Sequence, residues 1–434
     1  MSVSDMFKEF LDNIKVERST QFSQRYGEIT KILNMKFRNS DSTTTNSLQV
    51  GSYGRYTGIK GISDLDMIYI MPSSKWDDYK DNKQSKLLTD VKDAIKARYP
   101  TTDVKVDRLV VTVKYQNFYV EVQPAFNYYD DNDDESGYFK YPDTKNGGSW
   151  KTTKPRQEMK VIKALNEEKN KNLRLLCKMA RAWKNKSGVA IGGLLIDTLA
   201  YNFMKTTSLY DDKSYLYFDW LSRDFFKYLS EQDKQDYYRA PGSNQNVNVK
   251  NDFRKKAKEA YELSKEAIDA EGTVKANIKW RSIYGRSFPV SKIVSESFQK
   301  SISAWRDTEQ FIDDKYPIDI RFNIKLDCEV HQNGYRPDSL FQMLLKNTPL
   351  RPDKKLLFRV EECDVPGDYT LMWKVLNRGP EAERRDDIRG QIVIDDGYKR
   401  RNERTSFRGE HYVECYAIKN DVVVARASID VPIQ

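Results

Sequence analysis

Histidine is nearly missing. The 434-residue chain holds two, His331 and His411, both in its last third. For the rest of the chain this disfavours a Ser-His-Asp triad, a Cys-His pair or an HExxH zinc site, and leaves carboxylate-and-metal chemistry open. Cysteine is sparse as well: Cys177, Cys328, Cys363 and Cys415 lie far apart, with no CxxC pair. That argues against a disulfide scaffold or a cysteine-bound zinc and fits a reducing cytoplasm. Long hydrophobic runs are absent. None approaches the roughly 20 residues a membrane span needs, and the opening MSVSDMFKEFLDNIK is amphipathic and partly acidic, unlike a signal peptide. A cytoplasmic protein without membrane contact is expected.

What remains is 39% hydrophobic and 32% charged, enough for a sizeable core in two or three domains. The net charge of +9 is unevenly placed, since residues 311–434 hold 21 Lys+Arg against 22 Asp+Glu. The basic excess therefore lies in the first 310 residues. Such an excess suits a polyanionic partner such as nucleotide phosphates or nucleic acid, although a solvated lysine-rich surface would give the same composition.

Helical spacing of Met6, Phe10, Leu11 and Ile14, and again of Tyr26, Ile29 and Leu33, predicts one long amphipathic helix over 5–36. A glycine-rich turn and a strand at 64–71 follow, then a helix at 85–97 and two β-rich runs, 103–115 and 117–126. Residues 127–157, rich in Gly, Asp, Asn, Lys and Pro, read as a long ordered loop. Residues 158–300 turn helical. From about 313, alternating runs separated by turn residues suggest an antiparallel sandwich.

The chemistry concentrates in GSYGRYTGIKGISDLDMIYIM, residues 51–71. In a strand, Asp64 and Asp66 share one face while Leu65 and Met67 anchor the other. In NFYVEVQPAF, Val120 and Val122 share a face and Glu121 takes the opposite one; a glutamate between valines is uncommon unless paired or metal-bound. Three carboxylates on neighbouring strands can hold two magnesium ions about 3.5–4 Å apart. Gly51 and Ser52 suit a phosphate cradle, through close backbone approach and a hydroxyl donor. The segment lacks GxxxxGK[ST], which speaks against a P-loop ATPase. In KNLRLLCKMARAWKNK, an apolar stripe of Leu173, Leu176, Met179 and Trp183 backs a basic row of Arg174, Lys178 and Arg181. Lys178 and Arg181 are candidates to grip β- and γ-phosphates across the cleft.

Taken together, GSYGRYTGIKG, SDLDMIYI, VEVQPAF, FKYPDTKNGGSWKTTKPR, CKMARAWK, IGGLLIDTLAYNF and WRSIYGRSFP resemble the polymerase-β-like nucleotidyltransferases. Within them the chain resembles the bacterial cGAS/DncV-like enzymes (CD-NTases). MWKVLNRGPEAERRDDIRG and FRGEHYVECYAIKNDVVVA resemble the AGS-C type of C-terminal sensor domain. The resemblance implies an α+β fold: a catalytic core with an N-terminal spine helix over 1–160, a helical lobe over 161–308 and a β-sandwich-like sensor over 309–434. It implies Asp64, Asp66 and Glu121 as catalytic metal ligands for two Mg2+ ions, with Mn2+ able to substitute. It also implies Gly51, Ser52, Lys178 and Arg181 as phosphate-binding residues. The implied activity is synthesis of cyclic di- or trinucleotides from nucleoside triphosphates in an anti-phage (CBASS) system. There the diffusible product reaches an effector protein, and an infection cue acts at the sensor.

Two departures stand out. Glu121 replaces the aspartate of many relatives, and Gly192-Gly193 stands where animal relatives place serine or glutamine, so base choice does not transfer. Asp143, Trp150 and Thr152 are expected near the nucleobase. In the sensor, Trp373, Tyr398, Lys399, Arg400, Arg401 and Arg404 could read a ligand, although the GYKRRNER run reads more simply as an exposed loop. Two other readings share the same residues: a linear nucleotidyltransferase acting on RNA, protein or a small molecule, and a catalytically dead binding module.

Overall fold

The computed structural model describes the whole chain except residues 18, 62–63, 117, 129–136, 291–308, 333–335, 378–379 and 386–388. It is α+β, as expected. The first unit is a sheet of seven strands: β1 (Ser47–Gln49), β2 (Asp64–Met71), β3 (Asp103–Val106), β4 (Val111–Lys114), β5 (Tyr119–Tyr128), β6 (Tyr138–Asp143) and β7 (Ser149–Thr153). The order is β1-β2-β5-β4-β3, with β6 joining β5 and β7 joining β6. β2 and β5 run parallel, and the other neighbours run antiparallel.

Period-two patterning explains why only one face of β2 is packed along its whole length. Leu65, Met67, Tyr69 and Met71 are buried with Val120 and Val122 under α2 (Ser19–Arg38) and α5 (Gln84–Arg98), which contribute Phe22, Ile29, Leu33, Leu88 and Ile95. The start of the opposite face is left for the carboxylates.

The N-terminal segment is two helices, not one. α1 (Val3–Asn13) starts on a Ser2 capping box, with Ser2 and Asp5 each satisfying the other's backbone N–H, and it ends at Ile14. The break has a packing cause. Phe7 and Phe10 of α1 are fully buried against Trp280, Tyr284 and Phe288 in the helical part, whereas α2 serves the sheet. Each such phenylalanine contributes roughly 2–3 kcal/mol of burial, so serving two cores outweighs the continuity of one helix. The 127–157 stretch also differs from expectation, since it carries β6 and β7 and not one long loop. Trp150 of β7 packs on Trp76 of the short α4 (Trp76–Tyr79) and on Phe126.

The helical part comprises α6 (Pro155–Glu168), α7 (Asn172–Ser187), α8 (Gly193–Thr206), α9 (Phe218–Ser230), α10 (Arg254–Asp269) and α11 (Val274–Tyr284), with the hairpin β8 (Tyr237–Arg239) and β9 (Asn246–Asn248). Beyond it, β10 (Ile324–His331), β11 (Asp338–Ser339), β12 (Lys355–Cys363) and β15 (Arg400–Arg404) form one sheet, ordered β11-β10-β12-β15. β13 (Thr370–Leu376), β14 (Ile392–Ile394), β16 (Gly409–Lys419) and β17 (Val422–Ile433) form a second, ordered β14-β13-β16-β17. Phe358 of the first sheet and Trp373, Val413 and Cys415 of the second lie in one core, as in a sandwich. Most of the GYKRRNER run is an edge strand, β15, and not a loop. Arg401 pairs with Glu403, Arg404 with Asp353, and the Trp373 indole donates to Asp395.

A further apolar cluster joins Ala190 from the link between α7 and α8 to Ile320, Met372, Tyr416 and Val423. At the α7 C-terminus a Cβ on Gly188 would stand 2.6 Å from the Arg426 carbonyl, so only glycine allows this approach to β17. Among the described residues no helix is long and apolar enough to cross a membrane.

Candidate active site

Parallel pairing of β2 and β5 sets Asp66 opposite Glu121 and Asp64 opposite Tyr119. All three carboxylates leave the sheet on the same side, and one oxygen of each lies within 4.8 Å of the others. Their proton affinities record the crowding. Burial, then the Asp64 charge, pushes Asp66 up to about 7. Burial, then Asp64 and Asp66, pushes Glu121 up to about 8. Asp64 is also raised by burial, although Arg321 beside it pulls the other way. A set of oxygen donors this reluctant to hold bare negative charge fits a hard divalent cation such as Mg2+ or Mn2+.

The glycine-rich turn presses directly on this set. Gly51 opens the short helix α3 (Gly51–Gly54) at φ 64°, and a Cβ there would stand 1.7 Å from Asp66 Oδ2. Only glycine brings backbone this close to the carboxylate. The Ser52 carbonyl accepts the N–H groups of Thr57 (2.9 Å) and Gly58 (3.1 Å), which fixes the turn.

A cavity of about 300 Å³ opens over these groups. Gly51, Ser52, Asp64 and Asp66 line it together with the basic residues Arg181, Lys184 and Lys250. Glu121 and Lys178 are not part of its wall. A hollow of about 400 Å³ elsewhere, beside Arg223, Lys227 and Tyr261, shares no residue with the carboxylates. The carboxylates place the site at the smaller cavity.

Arg181 is buried and engaged. Its Nη1 donates to Asp197 Oδ1 (2.6 Å), and its Nη2 donates to Asp197 Oδ2 (3.0 Å) and to the Gly193 carbonyl (3.0 Å). Arg55 Nε (2.7 Å) and the Thr57 hydroxyl (3.0 Å) reach the same Oδ2. Although burial opposes ionisation, Arg181 and Arg55 hold the Asp197 carboxyl down at about 2. The cluster ties the segment after α3 to α7 and α8, and so sets the cleft's width. Lys178 is half-buried on α7, and burial followed by repulsion from Arg174 pushes its ammonium down.

Asp143, Trp150 and Thr152 stand apart from the cavity. Asp143 is buried between Arg108 and Lys151, the Trp150 indole donates to the Lys80 carbonyl, and the Thr152 carbonyl accepts from Gln245. Sequence reasoning missed Lys60, Lys184, Asp197, Lys250, Asp319 and Arg321. Lys184 lies one turn beyond Arg181 on the same helix, a spacing that could have revealed it. Asp319 and Arg321 come from beyond residue 310, and only tertiary structure brings them in.

Residues 1–166 match the model of the Second Messenger Oligonucleotide or Dinucleotide Synthetase domain. Residues 306–434 match that of the Adenylyl/Guanylyl and SMODS C-terminal sensor domain. A cytidylate cyclase of Staphylococcus aureus is 25% identical over 124 residues, covering 28% of this chain. The aligned region spans 27% of that curated relative's length. Two solved structures of CdnC from E. coli MS115-1, one with HORMA-deltaN and one with ATP, superpose with TM-scores of 0.51 and 0.50. Each is 14% identical and covers 66% of this chain and 98% of the other. At that identity the likeness speaks for the fold.

Proposed function

The chain belongs to the bacterial cGAS/DncV-like nucleotidyltransferases with a C-terminal sensor domain, and from that premise we propose that it makes cyclic di- or trinucleotides from nucleoside triphosphates. One observation carries the reading: three carboxylates converge from β2 and β5 beside a glycine turn, at a cavity whose lining also holds basic residues. Asp64, Asp66 and Glu121 would hold two Mg2+ ions, which when bound lower the pKa of an attacking hydroxyl and neutralise phosphate charge.

The chain's own residues bind and orient the substrate. Gly51 and Ser52 offer donors to the triphosphate. Arg181, fixed by Asp197, adds positive potential from the cavity wall, and Lys178 adds it from outside that wall. A ribose hydroxyl of one nucleotide attacks the α-phosphorus of another in line. A P–O bond forms, the bond to pyrophosphate breaks so that pyrophosphate leaves, and the hydroxyl proton passes to water. A second attack of the same kind closes a dinucleotide ring, and a trinucleotide ring takes a third, each releasing one pyrophosphate.

We assign catalysis to residues 1–160, completion of the cleft to 161–308 and cue sensing to 309–434. The setting is cytoplasmic anti-phage defence, in which the product activates an effector protein. The D64N/D66N double variant tests the assignment. It should fold, keep its far-ultraviolet circular dichroism and release no pyrophosphate with Mg2+ and the four ribonucleoside triphosphates. Undiminished pyrophosphate release would remove the assignment.

A further inference from the structure

Residues 317–322 form a strap between the sensor sheet and the catalytic cleft. Its backbone pairs with the start of β17: Val423 N–H donates to the Pro317 carbonyl (2.9 Å), Asp319 N–H to Val423 (3.0 Å) and Arg321 N–H to Val424 (2.9 Å). On its other side, Asn185 of α7 donates to the Ile318 carbonyl (2.7 Å) and accepts Ile320 N–H (3.2 Å), while Lys184 pairs with Asp319 (2.7 Å). Held on both flanks, the strap carries Arg321 to the carboxylates.

The arrangement of Arg321 is specific. Its Nε donates to Asp319 Oδ2 at 2.5 Å, which fixes the guanidinium plane. Its Nη2 lies 2.7 Å from Asp64 Oδ2, yet it is buried with no hydrogen-bond acceptor in line. The guanidinium is thus ion-paired with Asp64 but poorly aligned to it, and it keeps N–H capacity that a ligand oxygen could take up. Two neighbouring cations on the wall pair with residues outside the carboxylate triad, Arg181 with Asp197 and the Gly193 carbonyl and Lys184 with Asp319, whereas Arg321 reaches the triad itself at Asp64. A planar guanidinium beside a metal-binding face matches phosphate oxygens better than a point charge does.

We propose that Arg321 is a substrate-contacting residue brought into the cleft by the sensor domain, donating the N–H groups that Asp319 does not use to the anionic oxygens of the bound triphosphate. This rests on the nucleotidyltransferase reading above. It makes the cleft incomplete without the strap, and because the strap hangs on β17, movement of the sensor sheet moves a substrate contact.

The test is titration of the full-length protein with inorganic tripolyphosphate in Mg2+, a probe that carries no base, and separately with Mn2+ alone followed by electron paramagnetic resonance. Arg321→Ala should weaken tripolyphosphate binding about 10- to 100-fold without weakening Mn2+ binding, which loss of the cation beside Asp64 can only favour. Arg321→Lys keeps the charge beside Asp64 and Asp319 but loses the fork. It should recover only part of the affinity, whereas a purely structural role predicts full recovery. Thermal unfolding of both variants monitors the fold. Unchanged tripolyphosphate affinity in Arg321→Ala overturns the proposal, and tighter Mn2+ binding in that case would mark Arg321 as a plug over the metal face. Weakened Mn2+ binding also overturns it, and would mark Arg321 as an orienter of Asp64. A wild-type protein that binds no tripolyphosphate in Mg2+, like D66N, would sink the nucleotidyltransferase reading and this inference together. Failure of Arg321→Ala alone sinks only the inference.

Discussion

Gly51 is the most exacting position in the chain. Its φ of 64° and the 1.7 Å approach to Asp66 Oδ2 leave no room for a methyl group. Gly51→Ala should move the Asp66 carboxylate, lower stability by about 1–2 kcal/mol and weaken divalent-cation binding. Urea unfolding and Mn2+ titration of the same samples check both. The carboxylates make a pH prediction whose sign is fixed. Asp66 and Glu121 rise to about 7 and 8 from ordinary values of 3.8 and 4.5. Between those limits the metal-free native state holds protons that the unfolded chain has released. Stability should therefore fall as pH rises from about 4 to 8, by up to about 1.4 kcal/mol per pH unit for each proton, and level off above. Asp66→Asn should flatten part of that slope, and cation affinity should climb over the same range. Thermal unfolding in chelator across pH 5–9 measures it, and a rise in metal-free stability towards pH 8 would contradict it. The carboxylate triad was legible in the sequence because it needs only period two on two strands. The partner of Arg181 was not. Helical spacing locates a face, but it does not reveal that Asp197 waits on the next helix.

Elements show the same division. The strand at 64–71 and the helix at 85–97 follow from local periodicity, and they form within a residue or two of expectation. The break between α1 and α2 coincides with a lapse in apolar spacing between Ile14 and Phe22, but periodicity does not reveal that the two helices serve separate cores. The hairpin β6–β7 was hidden by turn-rich composition, and Trp150, which anchors it on Trp76 and Phe126, looked like a loop residue. At this scale the test falls on the joint between α3, α7 and α8. Asp197 is almost fully buried and shared by two arginines. Asp197→Asn leaves two buried guanidinium groups without a counter-charge, so we expect a loss of about 3–5 kcal/mol in urea unfolding, together with reduced turnover. A loss below about 1 kcal/mol would mean that the joint does not organise the cleft.

At the scale of the molecule, the N-terminal sheet, the helices and the C-terminal sandwich meet around the strap. Sequence patterning separated the β-rich end from the rest, since alternation and turn spacing are local signals. It could not place Asp319 and Arg321 beside Asp64, because residues some 250 positions apart leave no periodic trace. Ile320, fully buried between Ala190, Tyr416 and Val423, joins the parts. Ile320→Ala should cost about 2–4 kcal/mol and loosen the strap, which hydrogen exchange at Asp319 and Arg321 would register as faster. The most direct measurement is to incubate the purified protein with all four ribonucleoside triphosphates and Mg2+, treat the products with phosphatase and weigh them by mass spectrometry. We predict a phosphatase-resistant species at the mass of a cyclic di- or trinucleotide, absent from the D64N/D66N variant. Products that are only linear and phosphatase-sensitive would contradict it.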